Sequence, residues 1–111
     1  MKTAAKLTEA AFTTQVIDLA HLMGWRVHHC RPARTGKGWR TALQGDAGLP
    51  DLIMVHAAKK RFLIAELKVG NNQPSPAQAA WLWACYEAEI EAYLWYPKDW
   101  PEIEELLGVQ T

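Results

Sequence analysis

The sequence predicts a single α/β domain whose elements run α-β-β-β-α-β-α around a small mixed sheet. Half of the 111 residues are hydrophobic, which suffices for one packed core and argues against a disordered chain. Stretches with strand-like alternation are interleaved with stretches whose apolar residues follow helical spacing. Two of the strand-like stretches lie next to each other in the middle of the chain, so a hairpin flanked by helices is expected. Since no repeat or linker divides residues 1–111, they are predicted to form one domain.

The first helix is predicted between Thr8, a favourable N-cap, and Gly24, a favourable stop. Its inward face is predicted from apolar residues at helical spacing, namely Phe12, Val16, Leu19, Ala20 and Met23. Glu9 falls on the same stripe. Its carboxylate is either a first-turn group favoured by the helix dipole or a group directed at a cation.

Three strands are predicted next, with a long connection inside them. "WRVHHC" is a short strand, and residues 31–48 are expected to form a loop because they are too polar and Gly-rich for a core element. "DLIMVHA" and "RFLIAELKV" are predicted to form a hairpin through the turn at residues 58–60.

The last three elements are marked by helix-capping residues. Ser75 and Gln78 predict a capping box, with a first-turn proline between them, for the helix "AAWLWACYEAE". "IEAYLWYP" is the next strand. Asp99 and Glu102 predict a second capping box for a short terminal helix that ends near Gly108.

Charge is segregated along the chain, although the net charge is zero. Residues 1–68 contain eleven Lys and Arg against five Asp and Glu, whereas residues 69–111 contain one against seven. The expected loop contributes several of the basic residues, Arg31, Arg34, Lys37 and Arg40. Such a segment suits a polyanion, and the alternative is a solvated loop that pairs with the acidic tail.

Cysteine usage and hydropathy predict the cellular compartment of the protein. Cys30 and Cys85 lie far apart without CxxC spacing, so we expect free thiols in a reducing compartment and no zinc site. There is no N-terminal signal pattern and no apolar run long enough for a bilayer. The expected location is therefore cytoplasmic, or nucleoid-associated in a bacterium or an infected cell, without a membrane partner.

The central hairpin ends in charged residues, which strand interiors disfavour. Side-chain alternation within "RFLIAELK" puts Glu66 and Lys68 on one face. Asp51 begins the partner strand, so antiparallel pairing should bring it beside Glu66. Two adjacent carboxylates repel unless a cation lies between them, and Mg²⁺ typically binds through one or two carboxylates.

The cation would draw on further groups near the hairpin. The backbone carbonyl of Leu67 or Ala65 would add an oxygen ligand, and Glu9 would reach the cation or a water on it. Lys68 would orient or deprotonate a water, or stabilise charge on a phosphorane-like transition state. The structural alternative is an ordinary hairpin in which Lys68 pairs with an acid at the sheet edge.

Pro50-Asp51 and "ELK" on paired strands, after a helix bearing Glu9, resemble the PD-(D/E)xK nuclease superfamily. That resemblance implies a restriction-endonuclease-like core with the order α-β-β-β-α-β. The segments "GLPDLIMV", "AELK", "SPAQAAWL" and "AYLWYPKDWPEIEELL" are similar to its VRR-NUC family, over residues 9–107. One departure is Leu49, which replaces the usual aromatic residue before Pro-Asp and keeps its apolar character.

The VRR-NUC resemblance implies a metal-dependent DNA nuclease. The family's metal-binding acids correspond to Asp51 and Glu66, its catalytic lysine to Lys68, its first-helix glutamate to Glu9 and its post-motif glutamine to Gln78. Gln78 also fits the capping box, and both roles stay open. The implied cofactor is Mg²⁺ or Mn²⁺.

The same resemblance implies the partner and the substrate. Stand-alone members of the family are common in bacteriophages. They look like homodimers that act on branched DNA, such as four-way (Holliday) junctions, in repair and recombination. DNA is thus the expected partner, with phosphate contacts from Arg31, Arg34, Lys37 and Arg40. The alternatives are a flap, nicking or end-processing nuclease, and a catalytically silent junction-binding module.

Overall fold

A computed structural model of the chain describes residues 6–30, 33–35, 38–40 and 44–110, with the main chain alone for 33–35 and 38–40. The predicted order α-β-β-β-α-β-α is confirmed around the main sheet. The helices and strands are α1 (Glu9–Leu22), β1 (Arg26–His29), β2 (Ala33–Thr35), β3 (Gly38–Arg40), β4 (Leu52–His56), β5 (Arg61–Leu67), α2 (Pro76–Glu87), β6 (Glu91–Trp95) and α3 (Trp100–Leu107). Within these described ranges, no helix has both the length and the apolar character needed to cross a membrane.

The main sheet has the strand order β1-β4-β5-β6. β1, β4 and β5 pair antiparallel, and Leu52 stands opposite Ala65 in the central hairpin. β6 joins β5 in parallel, with Leu67 opposite Trp95, and α2 forms the crossover that parallel strands require. The sheet is therefore mixed, as predicted.

The core lies between one face of this sheet and the helices α1 and α3. Its residues are at most 3% exposed and are Phe12, Val16, Ala20, Trp25, Leu52, Met54, Leu63, Ala65, Leu67, Trp95, Ile103 and Leu107. Glu66 alternates with Ala65 and Leu67, so its side chain emerges on the opposite face. α2 begins on that opposite face, because Gln78 hydrogen-bonds to Glu66.

The predicted caps of α1 and α2 are confirmed. Thr8 Oγ1 accepts the Ala11 N–H at 3.1 Å, and Gly24 follows α1 with a φ of +91°. Ser75 Oγ accepts the Gln78 N–H at 3.2 Å, and Gln78 Oε1 accepts the Ser75 N–H at 2.8 Å. Both helices thus begin where local side-chain chemistry satisfies their free N–H groups.

Two local predictions were wrong. Residues 31–48 are not all loop, because β2 and β3 pair antiparallel within them. Each strand of this ribbon has three residues, which are too few to show an alternating apolar pattern in the sequence. The Asp99–Glu102 capping box is also absent, since Asp99 Oδ2 accepts the Tyr96 N–H at 2.9 Å and caps a 3-10 turn, Pro97–Asp99, that precedes α3.

The end of α3 is fastened to the sheet by two donors. Trp25 Nε1 donates to the Leu107 carbonyl at 3.0 Å, and Arg61 donates to the Leu106 carbonyl at 2.7 Å. The Arg61 guanidinium also lies over the Trp25 ring, 5.1 Å from its centre, and pairs with Glu91. These groups satisfy carbonyls that the last turn of a helix leaves free.

Candidate active site

The central hairpin brings Asp51 and Glu66 together, as predicted. The pairing of Leu52 with Ala65 continues outward by one residue, which puts Asp51 beside Glu66. The Asp51 N–H donates to Glu66 Oε1 at 3.3 Å, and the Leu67 N–H donates to Asp51 Oδ2 at 3.0 Å. Each carboxylate is therefore held by the main chain of the other strand.

Glu66 is an acid in an unfavourable place for a negative charge. Its side chain is 1% exposed. Burial first, and then the charge of Asp51, raise the pKa of Glu66 to about 7, although Lys68 opposes the shift. Lys68 Nζ lies 3.4 Å from Glu66 Oε2 and is itself largely buried. Near neutral pH the pair of acids therefore resists its second negative charge unless another cation is present.

Gln78 combines the two roles that its sequence position left open. Its Oε1 completes the capping box at Ser75, which fixes the side chain at the start of α2. Its Nε2 then donates to Glu66 Oε2 at 3.1 Å. The helix cap thus orients an amide donor onto the buried acid.

Gly48 positions the Pro-Asp segment, and the sequence prediction missed it. Its φ is +98°, and a Cβ built there would lie 2.5 Å from the Ala77 carbonyl carbon and 2.7 Å from the Gln78 nitrogen. The chain before Asp51 therefore passes directly against the first turn of α2, which glycine alone permits. The available signal was a glycine two residues before Pro-Asp.

Cys30 also adjoins the site. Its N–H donates to the Asp51 carbonyl at 2.8 Å, which continues the β1–β4 ladder. Burial, together with the charge of Asp51, raises the pKa of the Cys30 thiol. Because the thiolate is the reactive form, this cysteine is not arranged as a nucleophile.

The structure does not bring Glu9 to these acids. Glu9 lies in the first turn of α1 with its side chain exposed, so the prediction of an inward-facing position was wrong. Within the part of the chain that the structure describes, no three His, Cys, Asp or Glu side chains form a metal-binding group. A site role for Glu9, and ligation by the Leu67 carbonyl, stay predictions.

The predicted DNA-binding residues cannot be placed against the site. Arg31 and Lys37 lie outside the described residues, and Arg34 and Arg40 fall on β2 and β3, whose main chain alone is described. Their phosphate contacts stay predictions.

The donor set of Asp51 and Glu66 suits a hard divalent cation. Both groups are carboxylates at adjoining ends of β4 and β5, and burial, followed by the charge of Asp51, raises the pKa of Glu66. A cation with oxygen preference, bound through two carboxylates and otherwise through water, relieves this repulsion. Lys68 on the same strand adds a positive charge beside it.

Comparison with known proteins identifies the family. The model of the VRR-NUC domain family matches residues 7–98. The chain belongs to the VRR-NUC family. This match includes Asp51, Glu66, Lys68 and Gln78 and ends at Lys98, so α3 lies beyond it. The VRR-NUC family is one of nuclease domains, and membership implies DNA as the partner.

Solved structures share the VRR-NUC fold. One, described as a VRR_NUC domain, has a TM-score of 0.62 and 15% identity, and the match covers 93% of this chain and 97% of that chain. Another, a VRR_NUC domain protein, has a TM-score of 0.57 and 21% identity, covering 95% and 86%. At these identities the likeness supports the fold. A search of curated proteins gave no significant match.

Proposed function

We propose that this VRR-NUC domain is a metal-dependent, structure-specific DNA endonuclease that nicks branched DNA, such as four-way junctions, as a homodimer. The observation that carries the proposal is the buried Glu66, which is held against Asp51 and has Lys68 Nζ 3.4 Å from its Oε2. A buried acid beside a second acid costs stability unless it serves a charged ligand. Placement in the PD-(D/E)xK superfamily, among members of the phage type, is part of the same proposal.

Asp51 and Glu66, with the Leu67 carbonyl, are the groups that would hold Mg²⁺ or Mn²⁺. When bound, the cation supplies Lewis-acid charge to a phosphate oxygen. Glu66 must lose its proton to serve as a ligand, so its raised pKa makes cation affinity increase with pH up to about 7.

Lys68 and Gln78 act on charge and orientation. The Lys68 ammonium, largely shielded from solvent, stabilises the negative charge that develops on the scissile phosphate or orients the attacking water. Gln78 holds the Glu66 carboxylate in place through its Nε2. The protein's own contribution is thus a prearranged set of charges at the end of one hairpin.

The homodimer follows from the substrate. A four-way junction needs two symmetric cuts, whereas each chain carries one such site, and a two-fold dimer supplies two. The exposed side of α2 offers an apolar surface, where Trp83 and Tyr86 are 63% and 69% exposed and their rings stack 5.4 Å apart. We place the subunit contact on this surface.

Two alternatives remain. A flap, nicking or end-processing nuclease would use the same residues and differ in the DNA geometry it accepts. A catalytically silent junction-binding module belongs to another class. The intact Glu66–Lys68 pair favours an active site over a silent one.

The test is cleavage of labelled DNA with EDTA, Mg²⁺ or Mn²⁺. The panel holds a four-way junction, a flap, a fork and linear duplex. We expect paired nicks in the junction that need a divalent cation, and Asp51→Ala and Lys68→Ala to lose at least about 100-fold in rate. Lys59→Ala, at the far end of the hairpin, is the matched lysine control and should cut normally.

Each outcome assigns the chain differently. Cutting that spares the junction but not flaps or ends would keep the nuclease and reject junction specificity. Junction binding without any cleavage would favour the binding module. Equal cleavage in EDTA would reject the metal dependence.

A further inference from the structure

A cleft opens at the carboxyl ends of β5 and β6. Its volume is about 530 Å³, and it is lined by Asn71 and Gln73 after β5 and by Leu94, Tyr96 and Lys98 at the end of β6. Pockets that hold small ligands span about 300–1,000 Å³, so this cleft admits a group of nucleotide size. Asn71 and Gln73, two lining residues with amide side chains, make this wall of the cleft polar.

The cleft adjoins the candidate active site on the same face of the sheet. In the parallel register Glu66 stands opposite Leu94, and the Lys68 N–H donates to the Trp95 carbonyl at 3.0 Å. The next step of this register sets Lys68 beside Tyr96, about 4.8 Å away across the strands. Residues opposite each other share a face, so Tyr96 lies one strand from Lys68.

Lys98 gives the cleft its charge. It is the one Lys or Arg among residues 69–111, which contain seven acids. The side chain of Lys98 is exposed. The ion pairs of the described residues are Arg61–Glu91 and Lys68–Glu66, so Lys98 takes part in neither. Its neighbour Asp99 is engaged by the Tyr96 N–H at 2.9 Å. The ammonium therefore remains available to an anion.

Tyr96 gives the cleft a fixed aromatic ring. Its hydroxyl donates to the Asn72 carbonyl at 2.6 Å, which ties the ring to the loop after β5. Lys98 Nζ lies 5.5 Å from the centre of the same ring, within the range of a cation–π contact. An oriented ring beside an ammonium is the combination that binds a nucleic-acid strand through its phosphates and its sugars or bases.

We propose that this cleft binds the DNA strand next to the scissile phosphate, with Lys98 on a flanking phosphate and Tyr96 against the adjoining sugar or base. The inference rests on the proposed function, because it takes Asp51, Glu66 and Lys68 as the point of cleavage. The bound strand then crosses from β5 to β6 along one edge of the sheet.

The first test measures binding and salt dependence. Four-way-junction binding in EDTA is measured by fluorescence anisotropy for wild type, Lys98→Gln and the matched control Lys59→Gln. We expect Lys98→Gln to bind about 3- to 10-fold more weakly and to lower the slope of log K against log salt by about 1, as for one lost phosphate contact. Lys98→Arg should restore binding, and thermal melting should be unchanged in all three variants.

The second test locates the contact on the DNA. Single methylphosphonates, which remove one phosphate charge, are placed at each phosphate on either side of the mapped cut. We expect one position at which the neutral linkage weakens wild type as much as Lys98→Gln does, and weakens Lys98→Gln no further. Non-additivity at that position identifies the phosphate that Lys98 contacts.

The outcomes separate this inference from the proposed function. If Lys98→Gln and Lys59→Gln bind alike while wild type still cuts with Mg²⁺, the inference fails and the nuclease stands. Additive effects at every methylphosphonate position would also overturn it. If wild type neither binds nor cuts any DNA, the proposed function fails and this inference fails with it.

Discussion

At Glu66, burial and the charge of Asp51 both raise the pKa of the carboxyl group, to about 7 from an ordinary 4.5. Between these two values the folded protein keeps a proton that the unfolded chain has lost. The free energy of unfolding therefore falls as pH rises through this window, by about 3 kcal/mol in all. The stabilisation is fully present below pH 4.5 and is lost above pH 7.

Urea unfolding in EDTA at a series of pH values measures this effect. We expect Glu66→Gln to remove most of the decrease in the free energy of unfolding with pH. Glu105 is an exposed acid on α3, so Glu105→Gln should leave that decrease in place. Adding Mg²⁺ above pH 7 should restore stability to wild type, because it binds the charged form. An unchanged pH dependence in Glu66→Gln would show that another group is responsible.

Gly48 allows a comparison within one loop. Gly48 and Gly45 both have positive φ, +98° and +102°, but a Cβ at Gly45 meets nothing within 4 Å whereas one at Gly48 meets the Ala77 main chain at 2.5 Å. Gly45→Ala should cost about 1 kcal/mol from backbone strain, and Gly48→Ala about 3 kcal/mol because the segment must also move away from α2. Thermal melting measures the difference.

The same pair of variants tests the site. Moving the chain at Gly48 displaces Asp51 from Glu66, so Gly48→Ala should also lose cleavage at temperatures where it is folded. Gly45→Ala should cut normally. Equal losses of stability and cleavage in both variants would reject the close approach at α2.

At the scale of elements, α3 depends on Trp25. Its Nε1 donates to the Leu107 carbonyl at the helix end, and the ring is 3% exposed. Trp25→Phe removes the N–H donor and leaves the Leu107 carbonyl without this hydrogen bond. It should therefore lower the free energy of unfolding by about 2 kcal/mol. Trp81→Phe is the matched control, because its Nε1 donates to the Asp46 carbonyl at 3.3 Å in an exposed position where water can take its place. Denaturant unfolding measures both, and equal stabilities would contradict a fastening role for Trp25.

Elements defined by local chemistry could be predicted from the sequence. Thr8, Ser75 and Gln78 cap helices through contacts within three residues, and the hairpin residues alternate in a pattern of period two. Asp51 and Glu66 could be paired because antiparallel register follows from that hairpin. These are consequences of short-range geometry, which a sequence contains directly.

Three features could not be predicted, each for its own reason. The role of Gly48 depends on α2 lying against it, almost thirty residues later in the chain. Asp99 accepts the Tyr96 N–H instead of capping α3, because the chain forms a 3-10 turn at Pro97–Asp99 before that helix. Glu9 shares helical spacing with Phe12 and Val16 but lies at the open end of α1, where spacing does not determine burial.

At the scale of the whole molecule, the proposed homodimer can be tested on the exposed side of α2. Trp83→Lys places a charge in the proposed subunit contact, so sedimentation should shift from dimer to monomer. Leu22→Lys is the control, since Leu22 is 80% exposed but lies on α1. The monomer should still nick one strand of a junction but lose the paired cuts. A Trp83→Lys protein that stays dimeric would move the contact elsewhere.

The hairpin that unites the acids also has a kinetic consequence. Asp51 and Glu66 are fifteen residues apart in sequence, so they meet when β4 and β5 zip together. β6 pairs with β5 through the longer α2 crossover, so we expect it to join later. We therefore expect the two negative charges to approach each other early in folding and to raise the folding barrier. In stopped-flow experiments, refolding should slow as pH rises toward 7 in EDTA and speed up again with Mg²⁺. The ion proposed for cleavage would then also speed the folding of its own binding site.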